Sequence, residues 1–152
     1  MNIKLVCVGN LKDQSLKQLQ NEFTKRLQAY CKLEIIEVDD IKGDNLTVIV
    51  EKESIFISKH IGEKDYVITL EIDGKQFTSE DLSTKIENLQ MEHSNIVFVI
   101  GGSYGLSNTI KQRSNLSISF SKLTFPHPLF RVIFLEQLYR AYKIMHNETY
   151  HK

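Results

Sequence analysis

Short apolar runs alternate along the chain with longer amphipathic segments, and this alternation predicts strands followed by helices. The runs Ile3–Gly9 and Asn95–Ile100 are almost continuously apolar, which is typical of strands buried on both faces of a parallel sheet. Asp13–Tyr30 instead repeats leucine and phenylalanine at three- and four-residue steps, as the buried face of a helix does. The pattern therefore predicts an α/β fold, with helices flanking a mainly parallel sheet.

The other elements complete one domain, residues 1–152, with no repeat and no linker that would divide it. Further strands are predicted at Leu33–Val38, Tyr66–Ile72 (followed by an Asp73-Gly74 turn) and Leu116–Phe120. Further helices are predicted at Val48–Ile61, from a cap at Ser79 to about Glu92, at Ser107–Arg113, and from Pro126 or Pro128 to about His146. The β-branched start of the Val48–Ile61 segment is also compatible with a strand.

Composition places the chain among ordinary globular proteins, with 41% apolar and 25% charged residues. No apolar run approaches the roughly 20 residues that cross a bilayer, and the N-terminus lacks a signal-peptide layout. We therefore expect a cytoplasmic protein with no membrane partner. Cys7 and Cys31 are expected to be buried thiols, and no Cys/His spacing indicates a metal site.

The net charge is zero, but its distribution is uneven. Residues 1–110 carry 12 Lys or Arg against 17 Asp or Glu, whereas residues 111–152 carry 7 against 2. A basic C-terminal quarter is suited to RNA phosphate. Because such asymmetry is also common in proteins that never bind nucleic acid, it favours RNA only weakly.

Three predicted strand ends carry residues suited to ligand binding, and ligands of parallel sheets gather at the carboxyl ends of strands. They are Leu70-Glu71, the glycine-rich Gly101–Gly105, and Phe120–Phe125. The glycines permit close approach of a ligand to the backbone. Their spacing matches neither a dinucleotide fingerprint nor a phosphate loop. An ordinary strand-to-helix turn, or hydroxyl capping around Ser121, explains each segment taken alone.

The predicted C-terminal helix is apolar on nearly all sides, so it is buried in the core or against a second copy of the chain. Glu136 and Arg140 lie four residues apart, and an intrahelical ion pair is their simplest explanation. Arg131 is too far upstream to share in that pair. The tail Tyr150-His151-Lys152 combines an aromatic ring, an imidazole and a cation, although terminal segments usually fray.

Taken in order, these segments resemble one known family across essentially the whole chain. The matching segments are Thr69-Leu70-Glu71, Phe98–Leu106, Ser119–Pro128, Arg131-Val132, Glu136–Ala141 and Tyr150-His151-Lys152. Each motif is modest alone, but their joint order is similar to that of the ribosomal RNA large subunit methyltransferase H family. Members of that family are pseudouridine N3-methyltransferases of the SPOUT class.

The resemblance implies a sheet whose C-terminal part forms a deep trefoil knot, although general topology rules treat knots as rare. It implies S-adenosylmethionine as methyl donor, a homodimer in which the partner's tail completes each active site, and a pseudouridine of large-subunit RNA as substrate, within assembled ribosomes. The donor-binding residues would be Leu70, Gly101, Phe120, Ser121, Lys122, Leu123, Thr124 and Phe125. The catalytic residues would be His151, Arg140, Tyr150 and Arg131.

His151 is the first candidate for the base that removes the N3 proton, because an imidazole titrates near neutral pH. His127 is a second candidate, and Arg131 and Arg140 are suited to phosphate or to developing negative charge. Two features depart from the family pattern: the 43–48 region is shorter, and Tyr104 replaces a smaller or polar residue. The competing hypotheses are a nucleotide-binding enzyme without a knot and a non-catalytic ribosome-binding module.

Overall fold

The computed structural model describes all residues, 1–152, and its elements alternate as the sequence predicts. The strands are β1 (Asn2–Val8), β2 (Lys32–Val38), β3 (Tyr66–Gln76), β4 (Asn95–Ile100) and β5 (Leu116–Ser119). The helices are α1 (Gln14–Leu27), α2 (Leu46–Ser58), α3 (Ser79–Glu92), α4 (Asn108–Arg113) and α5 (His127–Met145).

The five strands form one sheet in the order β2-β1-β4-β3-β5, and every neighbouring pair is parallel. β4 therefore lies at the centre, and its Ile96–Ile100 residues are at most 4% exposed. An unbroken apolar run is required there because helices cover both faces of the sheet. The expected α/β class with a parallel sheet is confirmed.

Two cores lie on opposite faces of this sheet. Helices α1, α3 and α5 cover one face, where Leu27, Ile86 and Leu135 pack on the sheet side chains of β1, β3 and β4. Helices α2 and α4 cover the other face, through Ile57 and Ile110. Both cysteines are buried, and burial raises the pKa of Cys7 to about 12, so this thiol packs as a small apolar side chain.

Local details differ from the sequence-based predictions at two places. Thr78, and not Ser79, caps α3, because its hydroxyl accepts the Asp81 N–H at 3.0 Å. Asp73-Gly74 does not end β3, which continues to Gln76. Residues 71–74 instead bulge out of the ladder, since Ile118 of β5 is opposite both Leu70 and Lys75. Three of these residues, Glu71, Ile72 and Asp73, line a cavity at the carboxyl edge of the sheet.

The ambiguous Val48–Ile61 segment is helical, as α2, with the Asn45 side chain accepting the Val48 N–H at 3.2 Å. The C-terminal tail is not frayed. Tyr150 packs edge-on against Tyr139 of α5, with ring centroids 4.9 Å apart. None of the helices has the length and apolar character that crossing a membrane requires.

Candidate active site

The carboxyl ends of the three central strands reach the same edge of the sheet. Ile100 of β4 is opposite Cys7 of β1 on one side and Leu70 of β3 on the other. The chain therefore leaves these strands side by side, and the segments that follow β3, β4 and β5 line one cavity.

That cavity has a volume of about 640 Å³, within the usual range for small-molecule sites. Seven of the eight residues expected to bind the donor line it, whereas Lys122 does not: Leu70, Gly101, Phe120, Ser121, Leu123, Thr124 and Phe125. The structure thus brings together residues that are up to 55 positions apart in the sequence, Leu70 and Phe125 being the extremes.

One wall of the cavity is the turn 101–105, which closes tightly on itself. Gly105 donates its N–H to the Gly102 carbonyl at 3.1 Å. A Cβ on Gly101 would lie 2.7 Å from the Gly105 carbonyl oxygen, closer than real Cβ contacts. The turn needs glycine at position 101 because backbone occupies the space of a side chain.

The opposite wall is the segment 120–125, which short-range hydrogen bonds hold in a compact loop. Ser119 donates its hydroxyl to the Ser121 carbonyl at 3.0 Å, and the Ser121 hydroxyl accepts the Leu123 N–H at 3.0 Å. Phe120 and Phe125 both contact the Phe130 ring, with centroids 5.2 and 6.4 Å apart. The loop therefore offers backbone groups and an apolar surface to a planar ligand.

A carboxylate and an ammonium group add charge to the cavity lining. The sequence analysis placed Glu71 at a ligand-binding strand end but not among the donor-binding residues, and it did not single out Lys111. Glu71 accepts the hydroxyls of Thr69 and Ser117, each at 2.8 Å. Lys111 of α4 lies 3.4 Å from the other oxygen of Glu71. The β3 bulge aims Glu71 into the cavity, and no sequence signal announced that bulge except the Asp73-Gly74 pair.

His127 lines the cavity at the start of α5. Burial, the largest influence, lowers the pKa of His127, and the charge of Arg131 lowers it further against the opposing effect of Asp40. A lowered pKa favours the neutral imidazole at pH 7, which is the form that can accept a proton.

Arg131 lies beneath this edge of the sheet and not on the cavity. It is 1% exposed, and its guanidinium donates to Glu37 at 2.6 Å and to the Gly9 carbonyl at 3.1 Å. Burial alone would raise the pKa of Glu37, but hydrogen bonds from Arg131 and from the Leu11 N–H lower it overall. In this geometry Arg131 fixes α5 to the ends of β1 and β2 and does not reach a ligand directly.

The other three residues expected to be catalytic form a separate cluster with the C-terminal tail. Arg140 donates to His151 Nδ1 at 3.1 Å, lies 4.8 Å from the centre of the Tyr150 ring, and pairs with Glu136. Tyr150 donates its hydroxyl to the same Glu136 carboxylate at 3.0 Å. None of Arg140, Tyr150 and His151 lines the cavity within one chain.

The surroundings of His151 define its tautomer. A guanidinium has no lone pair to offer, so Nδ1 must accept from Arg140. Nε2 then carries the proton and donates to Glu80 at 2.7 Å, and this hydrogen bond is the main reason why the pKa of Glu80 is lowered. Both ring nitrogens of His151 are therefore engaged in hydrogen bonds.

Comparison with known proteins gives matches along the whole chain. A family model described as "Predicted SPOUT methyltransferase" matches residues 1–151. A protein of Finegoldia magna named Ribosomal RNA large subunit methyltransferase H is 51% identical over 159 aligned positions, which cover all of both chains. A protein of the same name from Clostridium botulinum strain Hall is 50% identical, again over all of both chains.

Proposed function

Because the chain belongs to the SPOUT methyltransferase family, we propose that it methylates N3 of a pseudouridine in large-subunit ribosomal RNA. Enzymes of this family take the methyl group from S-adenosylmethionine, and the family fold carries a C-terminal trefoil knot. The observation that carries the proposal is the cavity at the strand ends, where Leu70, Gly101 and the 120–125 loop meet. The name shared by the full-length relatives supports the RNA substrate.

The cavity fits the donor in size and chemistry. Its backbone-lined turn at Gly101 gives a flat ligand close access, and the rings of Phe120 and Phe125 supply apolar surface. Glu71, paired with Lys111, places a carboxylate in the lining, which suits a ligand with a sulfonium centre. When bound, the donor supplies an electrophilic methyl group, and the protein must orient it and exclude water.

We propose that the catalytic tail acts on the cavity of a second copy of the chain. Arg140, Tyr150 and His151 are held together, yet they lie off the cavity of their own chain. A homodimer in which each tail reaches the neighbouring cavity would unite the two groups. Arg140 would then face the RNA phosphate or the negative charge that develops on the base.

Two imidazoles are candidates for the base that takes the N3 proton. His151 can accept this proton on Nδ1 only after Arg140 releases that nitrogen, which contact with RNA phosphate would promote. His127 already lines the cavity, and its lowered pKa keeps it neutral. The turnover of His151→Gln and of His127→Gln, measured at saturating donor, distinguishes them, because loss of the base lowers turnover without weakening donor binding.

The test of the function is mass spectrometry of ribosomal RNA from a strain that lacks this protein. We expect one methyl group on pseudouridine to be missing, and to return when purified protein and S-adenosylmethionine are added to ribosomes from that strain. Parallel reactions with free large-subunit RNA show whether assembled ribosomes are the substrate. An unchanged methylation pattern, RNA binding without donor binding, or preference for a dinucleotide or nucleoside triphosphate would refute the proposal.

Shared active sites are tested by mixing two inactive variants, Gly101→Val with a blocked cavity and His151→Gln with an altered tail. If the tail works across the dimer, a mixed dimer contains one intact cavity facing one intact tail. Activity should then return to about a quarter of the wild-type level under random pairing, because half of the dimers are mixed and each has one good site of two. No recovery after subunit exchange would show that the tail serves its own chain, and a His151→Gln protein that is active by itself would show that His151 is dispensable.

A further inference from the structure

Glu53 is a buried carboxyl group that the proposed mechanism does not use. It lies on α2 one helical turn from Ile49 and one turn from Ile57, so the three share the face that packs on the sheet. Their exposures are 2%, 3% and 1% in sequence order. A glutamate at that burial normally has a hydrogen-bonding or charged partner.

Glu53 has no such partner, and its carboxyl group lies directly behind the cavity wall. Its Oε2 atom is fully enclosed and makes no hydrogen bond. A Cβ on Gly102 would lie 3.2 Å from this oxygen and 3.0 Å from Val8 Cγ1. Gly102 also lines the cavity, so only a glycine backbone, with no side chain, separates the carboxyl group from bound ligand.

Few charges surround this group. Burial, and secondarily the negative charge of Asp40 just after β2, raise the pKa of Glu53 to about 7. The cations near this edge are already paired, Arg131 with Glu37 and Lys111 with Glu71, and the lowered pKa of His127 favours its neutral form. Glu51, on the exposed side of α2, is only weakly contacted by Thr109 of α4, at 3.4 Å. Ionised Glu53 is therefore a negative charge without compensation inside this chain.

We propose that Glu53 is a positioning residue that selects the positively charged methyl donor over its uncharged product, acting through the bare Gly102 wall. The inference rests on the proposed function, because it takes the cavity to hold S-adenosylmethionine. The donor and S-adenosylhomocysteine differ by the methyl group and the sulfonium charge. An enclosed, uncompensated carboxylate attracts that charge more strongly than an exposed one would, and so favours exchange of product for donor.

The size of the effect follows from Coulomb's law. Two unit charges about 10 Å apart at an effective dielectric constant of about 20 change an equilibrium by roughly tenfold. Because Glu53 passes from mostly protonated to mostly ionised between pH 6 and pH 8, the preference for donor over product should rise about fivefold across that interval. Donor binding should also release protons near pH 7.

The experiment is calorimetry of the full-length protein with S-adenosylmethionine and with S-adenosylhomocysteine, at pH 6, 7 and 8. Wild type should show the rising preference, Glu53→Gln should lose it, and Glu51→Gln, a matched change on the same helix, should retain it. Titration of the ligands themselves is common to all three proteins and cancels in the comparison. Asp40→Asn gives an independent test, since removing the Asp40 charge should move the rise to lower pH.

The outcomes separate this inference from the function on which it rests. If Glu53→Gln weakens donor and product equally, or changes neither, the residue is structural and the inference is wrong while the enzyme stands. If wild type binds neither compound, the proposed function fails first. If Glu53→Gln does not fold, the Asp40→Asn protein decides the question. The inference is refuted if the preference of Asp40→Asn for donor over product rises at the same pH as in wild type.

Discussion

Replacing Gly101 with alanine would place a methyl group where the 101–105 turn closes on itself. The new Cβ would lie 2.7 Å from the Gly105 carbonyl oxygen and 2.8 Å from its carbon. Both atoms belong to the backbone, so no side-chain rotation relieves the overlap and the turn must open. Overpacking of this kind costs about 1–3 kcal/mol. If the turn is restored only in the donor-bound form, that cost appears as a loss of donor affinity of about 5- to 150-fold.

The assay is calorimetric titration with S-adenosylmethionine, beside thermal unfolding of the same samples. Gly43→Ala is the matched control, because a Cβ there meets only Ile49, at an ordinary 3.7 Å, and Gly43 does not line the cavity. The control should bind the donor as wild type does. If Gly101→Ala folded with wild-type stability and bound the donor with unchanged affinity, the turn would not form the donor site.

Two further predictions concern the framework that supports the site. Glu37→Gln leaves the buried Arg131 guanidinium without its counter-ion and should lower the free energy of unfolding by about 2 kcal/mol. Breaking a fully enclosed ion pair would cost more, but Glu37 is partly exposed. The folded state lowers the pKa of Glu37, so its stabilising effect is present above the unfolded-state pKa and disappears as the pH falls through the folded one. The free energies of unfolding of wild type and variant, measured by denaturant titration, should therefore become equal in acid. A difference that persists there would contradict the role of Glu37 as the counter-ion of Arg131. Ser83→Ala removes a buried hydrogen bond to the Ala141 carbonyl, at 2.7 Å. The free energy of unfolding should fall by about 1 kcal/mol, while methylation proceeds at the wild-type rate. A change in rate without a change in melting temperature would show that the α3–α5 contact serves catalysis.

The strands and the segments that line the cavity could be predicted because their signals are local. An apolar run such as Ile96–Ile100 has no alternative to double-sided burial, and Gly101-Gly102 after it marks the end of a strand. By contrast, the β3 bulge depends on how β5 pairs beyond Leu70, which is a contact between distant segments. Propensity and periodicity contain no information on such a contact, so the strand was ended too early, at Ile72, and Glu71 was not assigned to the donor-binding residues.

Arg131 and Glu53 show why charged residues in apolar patterns are hard to interpret from sequence. Both lie at helical positions that face a core. Arg131 has a counter-ion from the distant strand β2, whereas Glu53 has none. Spacing alone marks both as unusual, since an unpaired buried charge is unfavourable. Only the tertiary structure distinguishes a residue that fixes the scaffold from one that remains uncompensated beside a ligand cavity. A glutamate in register with two core isoleucines, as Glu53 is with Ile49 and Ile57, is therefore the sequence signal that should direct attention to a functional carboxyl group.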